Sequence, residues 1–360
     1  MRSRTREGTR APTSGKPARA ALLAAAALGG TWLGASPAAA APDALYPDRL
    51  PAPIIYNYGE NETTRSMAMG GALRALGNGT TGVFLNPATM AQTRVYHIEA
   101  SAQLTPETGR DIFGGVVVDS VTSKLAGAAA VNGGFMDSKG LDRSIFDVRS
   151  ATAYPITDRL FLGIGGRYFK ATQTAQIAPF GTADKVAGGL IDKTSSPTTR
   201  FAFLNTFTFD VGLTVRAADG LYIAALGQNL SYPNNGLLPT MVGGGIGYGN
   251  ENLTIEADSV ADLNSWGKPK ARVMAGAEYL LIDHIPLRLG YRFDQGANLH
   301  TISGGLGYIG TSFSIEGSVK RTLSASPGAT SMVFSVAYFL ESSGVTRTSN
   351  TDQPVLEAPQ

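Results

Sequence analysis

The chain has 360 residues, which is enough for one large domain or two domains of ordinary size. Only 16% of the residues are charged and 43% are hydrophobic, a composition that excludes a disordered chain, a coiled coil and a basic nucleic-acid-binding protein. Cysteine is absent, which excludes a disulfide scaffold, a thiolate metal site, a cysteine nucleophile and a lipidated bacterial N-terminus.

Residues 1–40 predict a secretory signal peptide. The first nineteen residues are rich in Lys and Arg, an apolar stretch runs from Ala20 to Leu33, and small residues follow as far as Ala41. A single membrane anchor is the alternative, but it needs about 20 apolar residues. We predict cleavage after Ala40. Removing six of the 30 basic and one of the 28 acidic residues leaves 24 and 27, so the formal charge of +2 becomes about −3.

Alternating apolar and polar residues predict fourteen β-strands after residue 93. The clearest alternation runs from Phe201 to Arg216, where phenylalanines and valines share one face and threonines share the other. A helix would mix these two sets, whereas a strand separates them. Because no later segment has 18 consecutive apolar residues, helical membrane spans are excluded. The predicted strands are residues 94–104, 111–119, 124–133, 144–154, 159–171, 201–216, 220–230, 240–248, 252–260, 270–281, 285–294, 299–308, 311–320 and 330–340.

The connections between these strands favour a membrane barrel over a soluble β-sandwich. Gaps after even-numbered strands are short, and gaps after odd-numbered strands are usually longer, up to Gln173–Arg200. Outer-membrane barrels alternate short periplasmic turns with longer outer loops in this way. Seven tyrosines at the predicted periplasmic level indicate an aromatic girdle, namely Tyr96, Tyr154, Tyr222, Tyr248, Tyr279, Tyr308 and Tyr338.

The sequence therefore predicts an all-β fold, a transmembrane antiparallel β-barrel of about 14 strands. The predicted barrel comprises residues 94–340, and the polar residues 341–360 are predicted to form a disordered periplasmic tail.

Residues 41–93 do not alternate; Thr64–Leu76 has the pattern of a short amphipathic helix, and Asn86-Pro87 indicates a turn. We predict a periplasmic leader and a hatch inside the barrel. A disordered leader is the alternative, which fits residues 41–53 better than the later stretch.

Several hatch residues resemble the N-terminal hatch of the FadL superfamily of outer-membrane proteins, which includes transporters of fatty acids and aromatic hydrocarbons and the PorV group. The resemblance rests on Arg65, Met69, Gly70, Gly71, Ala72, Asn86, Pro87 and Ala88, with weaker matches at Gln228-Asn229-Leu230 and Leu289-Gly290-Tyr291. It implies a 14-stranded barrel with a hatch. In the transporters of the family it also implies capture of hydrophobic substrates from outside and sideways release through the wall. This chain departs in its modest outer loops and its polar C-terminal tail.

Motifs for catalysis are weak. Gly305–Gly310 matches a dinucleotide fingerprint by its letters, but a strand follows it instead of a helix, so we predict a hairpin turn. His97 and Glu99 share one face and could form an acid–base or metal pair. Ordinary polar lining of a barrel interior is the preferred interpretation, because neither a partnered serine nor further ligands accompany them. We therefore predict a non-enzymatic protein with no cofactor and no metal.

Two groups of residues bear on transport. Apolar residues on the inward face indicate contacts with a ligand in the lumen or, equally, packing against the hatch; they are Phe161, Phe169, Leu204, Met274 and Phe339. The third strand is rich in glycine and alanine, which pack weakly in sheets. We expect it to part near Gly133 and Gly134 as a lateral opening, unless its small residues only make room for the hatch.

Two functional hypotheses follow, both in the outer membrane of a Gram-negative bacterium. The first is FadL-like passage of small hydrophobic molecules. The second is a PorV-like barrel that anchors or shuttles exported proteins or serves a secretion or surface complex. An outer-membrane hydrolase is a distant third, since fold alone does not decide function. The expected partners are outer-membrane lipid and a hydrophobic small molecule or an exported protein, and nucleic acid is not among them.

Overall fold

The structure is a computed structural model that describes residues 61–136, 143–173, 176–177, 191–192, 201–233, 238–266, 268–324 and 328–342. The predicted signal peptide, the first part of the leader and residues 343–360 of the predicted tail lie outside these ranges. Within them, no helix combines the length and the apolar character that a membrane crossing requires.

Fourteen antiparallel strands form a closed barrel in the described part of the chain, which confirms the predicted fold class. Each strand pairs with its neighbours along the chain, and the last strand pairs with the first. A separate two-stranded sheet, Gln176–Ile177 with Ile191–Asp192, lies between the fifth and sixth strands in sequence. The barrel strands are β1 Val95–Thr105, β2 Arg110–Asp119, β3 Ala126–Met136, β4 Arg143–Pro155, β5 Leu160–Gln173, β6 Phe201–Ala218, β7 Leu221–Gln228, β8 Met241–Gly249, β9 Leu253–Asp262, β10 Lys270–Leu281, β11 Ile285–Asp294, β12 Leu299–Ile309, β13 Phe313–Thr322 and β14 Thr330–Ser342.

Strand β6 shows how the sequence alternation becomes the two faces of the wall. Phe207 and Phe209 are exposed on the outer face, at 64% and 41%, whereas Thr208, Asp210 and Thr214 are buried on the inner face. Successive side chains of a strand point to opposite sides of a sheet. The wall therefore presents apolar side chains outward, as a bilayer requires, and polar side chains inward.

Both ends of the barrel sequence lie at one rim, because Val95 at the start of β1 pairs with Ser342 at the end of β14. We call this rim the terminal rim. Its turns are short; for example, β12 ends at Ile309 and β13 begins at Phe313, which confirms the hairpin predicted there. Longer connections, including residues 174–200, join strands at the opposite rim.

The prediction that Tyr222 belongs to the aromatic girdle is wrong. Its side chain is only 6% exposed and packs into the apolar cluster inside the barrel. Tyr222 stands at the expected height, but it shares the inward face of β7 with Ala224 and Leu226. Four other members of the predicted girdle are exposed, namely Tyr154, Tyr279, Tyr308 and Tyr338.

The N-terminal segment, residues 61–93, contains helices that are shorter than the one predicted over Thr64–Leu76. Helix α1 spans only Thr64–Ala68, and α2 spans Gly82–Leu85. Thr63 caps α1 by accepting a hydrogen bond from the Ser66 amide. The helix ends early because Gly70 and Gly71 adopt φ angles of +69° and +85°, which reverse the backbone. Two 3-10 helices, Gly79–Thr81 and Pro87–Gln92, complete the segment.

Side chains of the N-terminal segment are buried against the inner face of the wall. Met67, Leu73 and Met90 have no solvent exposure. The segment packs against strands on both sides of the barrel, with contacts of the Pro87–Gln92 helix to β4, β5 and β6 and of α1 to β11 through β14. The segment therefore occupies the lumen around which the strands close.

Candidate functional site: the N-terminal segment, its ion pairs and a cavity

Glycines in the wall receive the Asn86-Pro87-Ala88 motif. A Cβ atom on Gly163 would lie 2.3 Å from the Ala88 nitrogen, and one on Gly212 would lie 1.8 Å from Asn86 Oδ1. No other residue type permits such an approach of two chains. The strand glycines thus make the space in which this motif sits.

Asn86 joins three parts of the structure through its amide group. Its Oδ1 accepts a hydrogen bond from the Ala88 amide at 3.1 Å, and its Nδ2 donates to the Arg74 carbonyl at 2.6 Å and to Thr214 Oγ1 at 3.0 Å. Because Asn86 is completely buried, each of these bonds replaces one to water. The side chain therefore links the turn, the preceding loop and β6.

The Met69-Gly70-Gly71 motif occupies a second set of glycines, on the opposite side of the barrel. A Cβ atom on Gly290 of β11 would lie 2.1 Å from the Gly70 nitrogen, and Arg292 Nε donates to the Gly70 carbonyl at 3.1 Å. The structure thus places the six predicted hatch residues in two separate contacts with the wall, one on β5 and β6 and one on β11.

Carboxylates on the inner face of β9 bind backbone amides of the N-terminal segment. Glu256 accepts hydrogen bonds from the Ala75 and Leu76 amides at 2.5 and 2.9 Å. Asp258 accepts from the Leu73 amide at 3.0 Å and from the Arg74 guanidinium at 3.1 Å. These acids satisfy amides that no helix or sheet partner satisfies, so the loop is held without regular secondary structure.

Buried ion pairs form a second set of links. Asp147 on β4 is completely buried and binds Arg149 at 3.2 Å and Arg167 at 2.9 Å, while Asn61 donates to it at 2.7 Å. Glu62 bridges Arg292 and Lys320. Removing one partner of such a pair leaves an uncompensated buried charge, which is strongly destabilising. Sequence reasoning assigned no role to these groups, since the pairs form only when distant strands meet.

A chain of four charged groups continues towards the terminal rim. Arg65 binds Glu278 at 3.1 Å, Arg288 binds the same carboxylate at 2.5 Å, and Arg288 also binds Glu316. Arg65, named in the sequence motif, thus couples α1 to β10 and, through Arg288, to β13.

A cavity of about 340 Å³ lies between the N-terminal segment and the wall near the terminal rim. Its wall strands are β1 and β11 through β14. Val95, Ile309, Ala337 and Phe339 contribute apolar surface, and Thr80 lies on the side of the N-terminal segment.

His97 and Glu99 both line this cavity. The His97 ring lies against the Phe339 ring with centroids 4.3 Å apart, and Thr80 Oγ1 donates to Glu99 at 2.5 Å. The two side chains predicted to share a face therefore do share it. Within the described residues, no cluster of three His, Asp or Glu side chains is arranged to hold a metal ion.

Solved structures with a similar architecture include transporters and channels. The Ralstonia pickettii toluene transporter TbuX is 16% identical with a TM-score of 0.53, covering 79% of this chain and 99% of its own. A Pseudomonas aeruginosa FadL homologue is 12% identical with a TM-score of 0.54 over 77% and 98% of the two chains. The CymD monoaromatic hydrocarbon channel is 13% identical with a TM-score of 0.55 over 79% and 98%. The chain has the fold of the FadL-family transporters. No family model and no curated protein sequence matches the chain.

The FadL-like barrel places the five apolar candidates in different surroundings. Phe339 lines the 340 Å³ cavity, and Met274 lines a smaller one of about 60 Å³ beside Arg74. Phe161 packs in the apolar cluster with the N-terminal segment, and Phe169 is completely buried beneath the Arg167 guanidinium. Leu204 is half-buried near the opposite rim and pairs with Ala171. Of the five candidates, Phe339 and Met274 therefore border these two cavities.

The wall of the FadL-like barrel is continuous at Gly133 and Gly134. Gly133 pairs with Phe113 and Phe146, and the register of β3 with β2 and β4 shows no shift. The register does shift where β1 meets β14, between Tyr96 and His97, which is beside the cavity. Register shifts also occur between β5 and β6 and between β6 and β7.

Proposed function

We propose that this protein is an outer-membrane barrel through which small hydrophobic molecules pass, as in FadL-like channels, with the N-terminal segment as its hatch. The observation that carries the proposal is the 340 Å³ cavity with a partly apolar lining beneath that segment, since the lumen around it is filled by side chains and ion pairs. Ligand pockets begin at about 300 Å³. The shared fold with a toluene transporter and a monoaromatic hydrocarbon channel supports a substrate of similar size.

The route out of the cavity is part of the proposal. Val95 and His97 of β1 and Phe339 of β14 line the cavity, and the ladder between these strands is irregular at this height. We infer a lateral exit between β1 and β14, because an irregular ladder parts more readily than a regular one. Gly133 and Gly134 remain the competing exit, on the argument that β3 is the poorest strand-former.

Uptake of radiolabelled toluene by a Gram-negative host that lacks its own hydrophobic-compound channel tests the function. Ala337→Trp fills the cavity and is expected to lower uptake several-fold. Val336→Trp is the matched control, because Val336 is the neighbouring residue on the lipid-facing side of β14 and is 54% exposed. Wild-type uptake no greater than that of cells without the protein would contradict the proposal.

A PorV-like role is the second candidate, and the network of buried ion pairs favours it. Arg65, Arg74 and Glu62 tie the N-terminal segment to β9, β10, β11 and β13, as expected of a barrel that stays closed. Such a barrel would hold exported proteins or serve a secretion or surface complex at its rims. Affinity purification of tagged protein after in-cell cross-linking tests this role; stoichiometric exported proteins together with absent uptake would favour it over transport.

A further inference from the structure

Four charged side chains line the 340 Å³ cavity, and three of them are paired with one another or with a neighbour. Arg65 and Arg288 both bind Glu278, and Arg288 binds Glu316. Glu99 is the exception: among the described residues it forms no ion pair, and its partners are the hydroxyls of Thr80 and Ser335. A buried carboxyl without a cation is costly unless other hydrogen bonds compensate it.

Glu99 has acceptor capacity beyond these two hydroxyls. A carboxylate offers about four lone-pair positions, and its side chain, although only 8% exposed as a residue, borders the cavity. The cavity also presents the rings of His97 and Phe339, which are tilted by 33° to each other, together with Ile309 and Ala337. The site therefore combines a hydrogen-bond acceptor with an aromatic surface.

The charges select against an anionic ligand. A ligand carboxylate would lie near Glu99 and Glu316, whereas Arg65 and Arg288 are already paired with Glu278 and Glu316. Like charges in a poorly hydrated cavity repel strongly. A neutral molecule avoids this cost. Its size is limited by the volume of about 340 Å³, and a cavity of about 150 Å³ already accepts benzene in another protein.

We propose that this cavity binds a neutral single-ring compound that carries a hydroxyl group, the chemical class of phenols. The hydroxyl donates a hydrogen bond to Glu99, and the ring packs against Phe339 and His97. This assignment rests on the proposed function and narrows its substrates from hydrophobic molecules in general to ring compounds with one hydrogen-bond donor.

Binding of p-cresol and toluene to the purified full-length protein in detergent, measured by isothermal titration calorimetry, tests the assignment. The two probes differ by one hydroxyl group. We expect p-cresol to bind up to about tenfold more tightly, because one net hydrogen bond of ordinary strength contributes a factor of this size. Glu99→Leu should remove this difference and leave toluene affinity almost unchanged.

Gln103→Leu is the matched control, because Gln103 is buried on the same face of β1 outside the cavity. It should keep the preference for p-cresol. Glu99→Gln retains an acceptor oxygen and should keep most of the preference, which separates loss of the acceptor in Glu99→Leu from loss of the charge. The fold of each variant is checked by its heat-modifiable migration on gels.

The outcomes separate the two proposals. Equal affinities for p-cresol and toluene in the wild type overturn the hydroxyl assignment and leave passage of hydrophobic molecules in place. Binding of 4-methylbenzoate as tight as that of p-cresol overturns the selection for neutral ligands. Binding of neither neutral probe, together with absent toluene uptake, overturns both proposals.

Discussion

Asp147 shows how one buried carboxylate organises its surroundings. It has no solvent exposure, and Arg149, Arg167 and Asn61 share its two oxygens. Asp147→Asn would leave two guanidinium groups with one fewer counter-charge, so we expect a loss of about 3–5 kcal/mol in the free energy of unfolding. Urea unfolding of the refolded protein measures the loss.

Asp158→Asn is the control for this prediction, because Asp158 lies exposed in the turn between β4 and β5. It should leave the unfolding midpoint unchanged. Equal midpoints for the two variants would show that the Asp147 cluster adds nothing to stability.

Gly163 tests the docking of the Asn86-Pro87-Ala88 motif. In Gly163→Ala the new Cβ would lie 2.3 Å from the Ala88 nitrogen, so the motif must move away from the wall. We expect trypsin to cleave after Arg74, which is buried in the wild type, with the fragments identified by intact mass. Gly127→Ala is the control, since a Cβ there would meet nothing within 4 Å. Full trypsin resistance in both variants would contradict the docking.

At the scale of the element, β6 tests which face of the wall meets lipid. Phe209 lies on the outer face in the middle of the strand, so Phe209→Arg should impair membrane assembly, because a cation near the bilayer midplane costs about 2–4 kcal/mol. Phe209→Leu should assemble normally. Assembly yields are read from the folded band on gels, and equal yields would contradict the assigned face.

Thr208, the residue before Phe209, is not expected to tolerate substitution by arginine. It faces inward as the alternation predicts, but it is completely buried and pairs with Arg167 across β5 and β6. In Thr208→Arg the new guanidinium group would lie beside that of Arg167 and be repelled by it. Inward orientation therefore does not by itself imply tolerance of a charge in a lumen that is filled.

Two engineered disulfides distinguish the exits, and the absence of native cysteine makes each of them specific. Ala100→Cys with Val336→Cys joins β1 to β14 at paired positions, and Phe113→Cys with Gly133→Cys joins β2 to β3. We expect the first pair to lower toluene uptake under oxidising conditions and the second to leave it unchanged, with recovery after reduction. The reverse result would place the exit at Gly133 and Gly134.

At the scale of the whole molecule, a closed barrel with an apolar outer surface accounts for the predicted location. We expect the mature protein to begin at Ala41 and to fractionate with the outer membrane. N-terminal sequencing of the purified membrane form checks the first expectation and density-gradient fractionation checks the second. Recovery in the inner membrane with residues 1–40 retained would contradict both.

The sequence by itself determined the number of strands, their approximate bounds and, where the alternation is clear as in β6, the side of the wall that a residue faces. These are consequences of a two-residue period, which is a local property, and of a bilayer that selects apolar residues on one side only. The same local character explains the error at Tyr222, because height along a strand does not specify the face of the sheet.

Only the tertiary structure shows which residues form the ion pairs and the cavity. Glu62 and Lys320 are 258 positions apart, and they meet only because the strands close into a barrel around the N-terminal segment. The helix predicted over Thr64–Leu76 ends at Ala68 because docking on β11 requires the turn at Gly70 and Gly71. The position of Glu99 in a cavity follows from the distance between that segment and the wall. Local sequence patterns do not predict such distances, because the distances depend on which residues the closed barrel brings together.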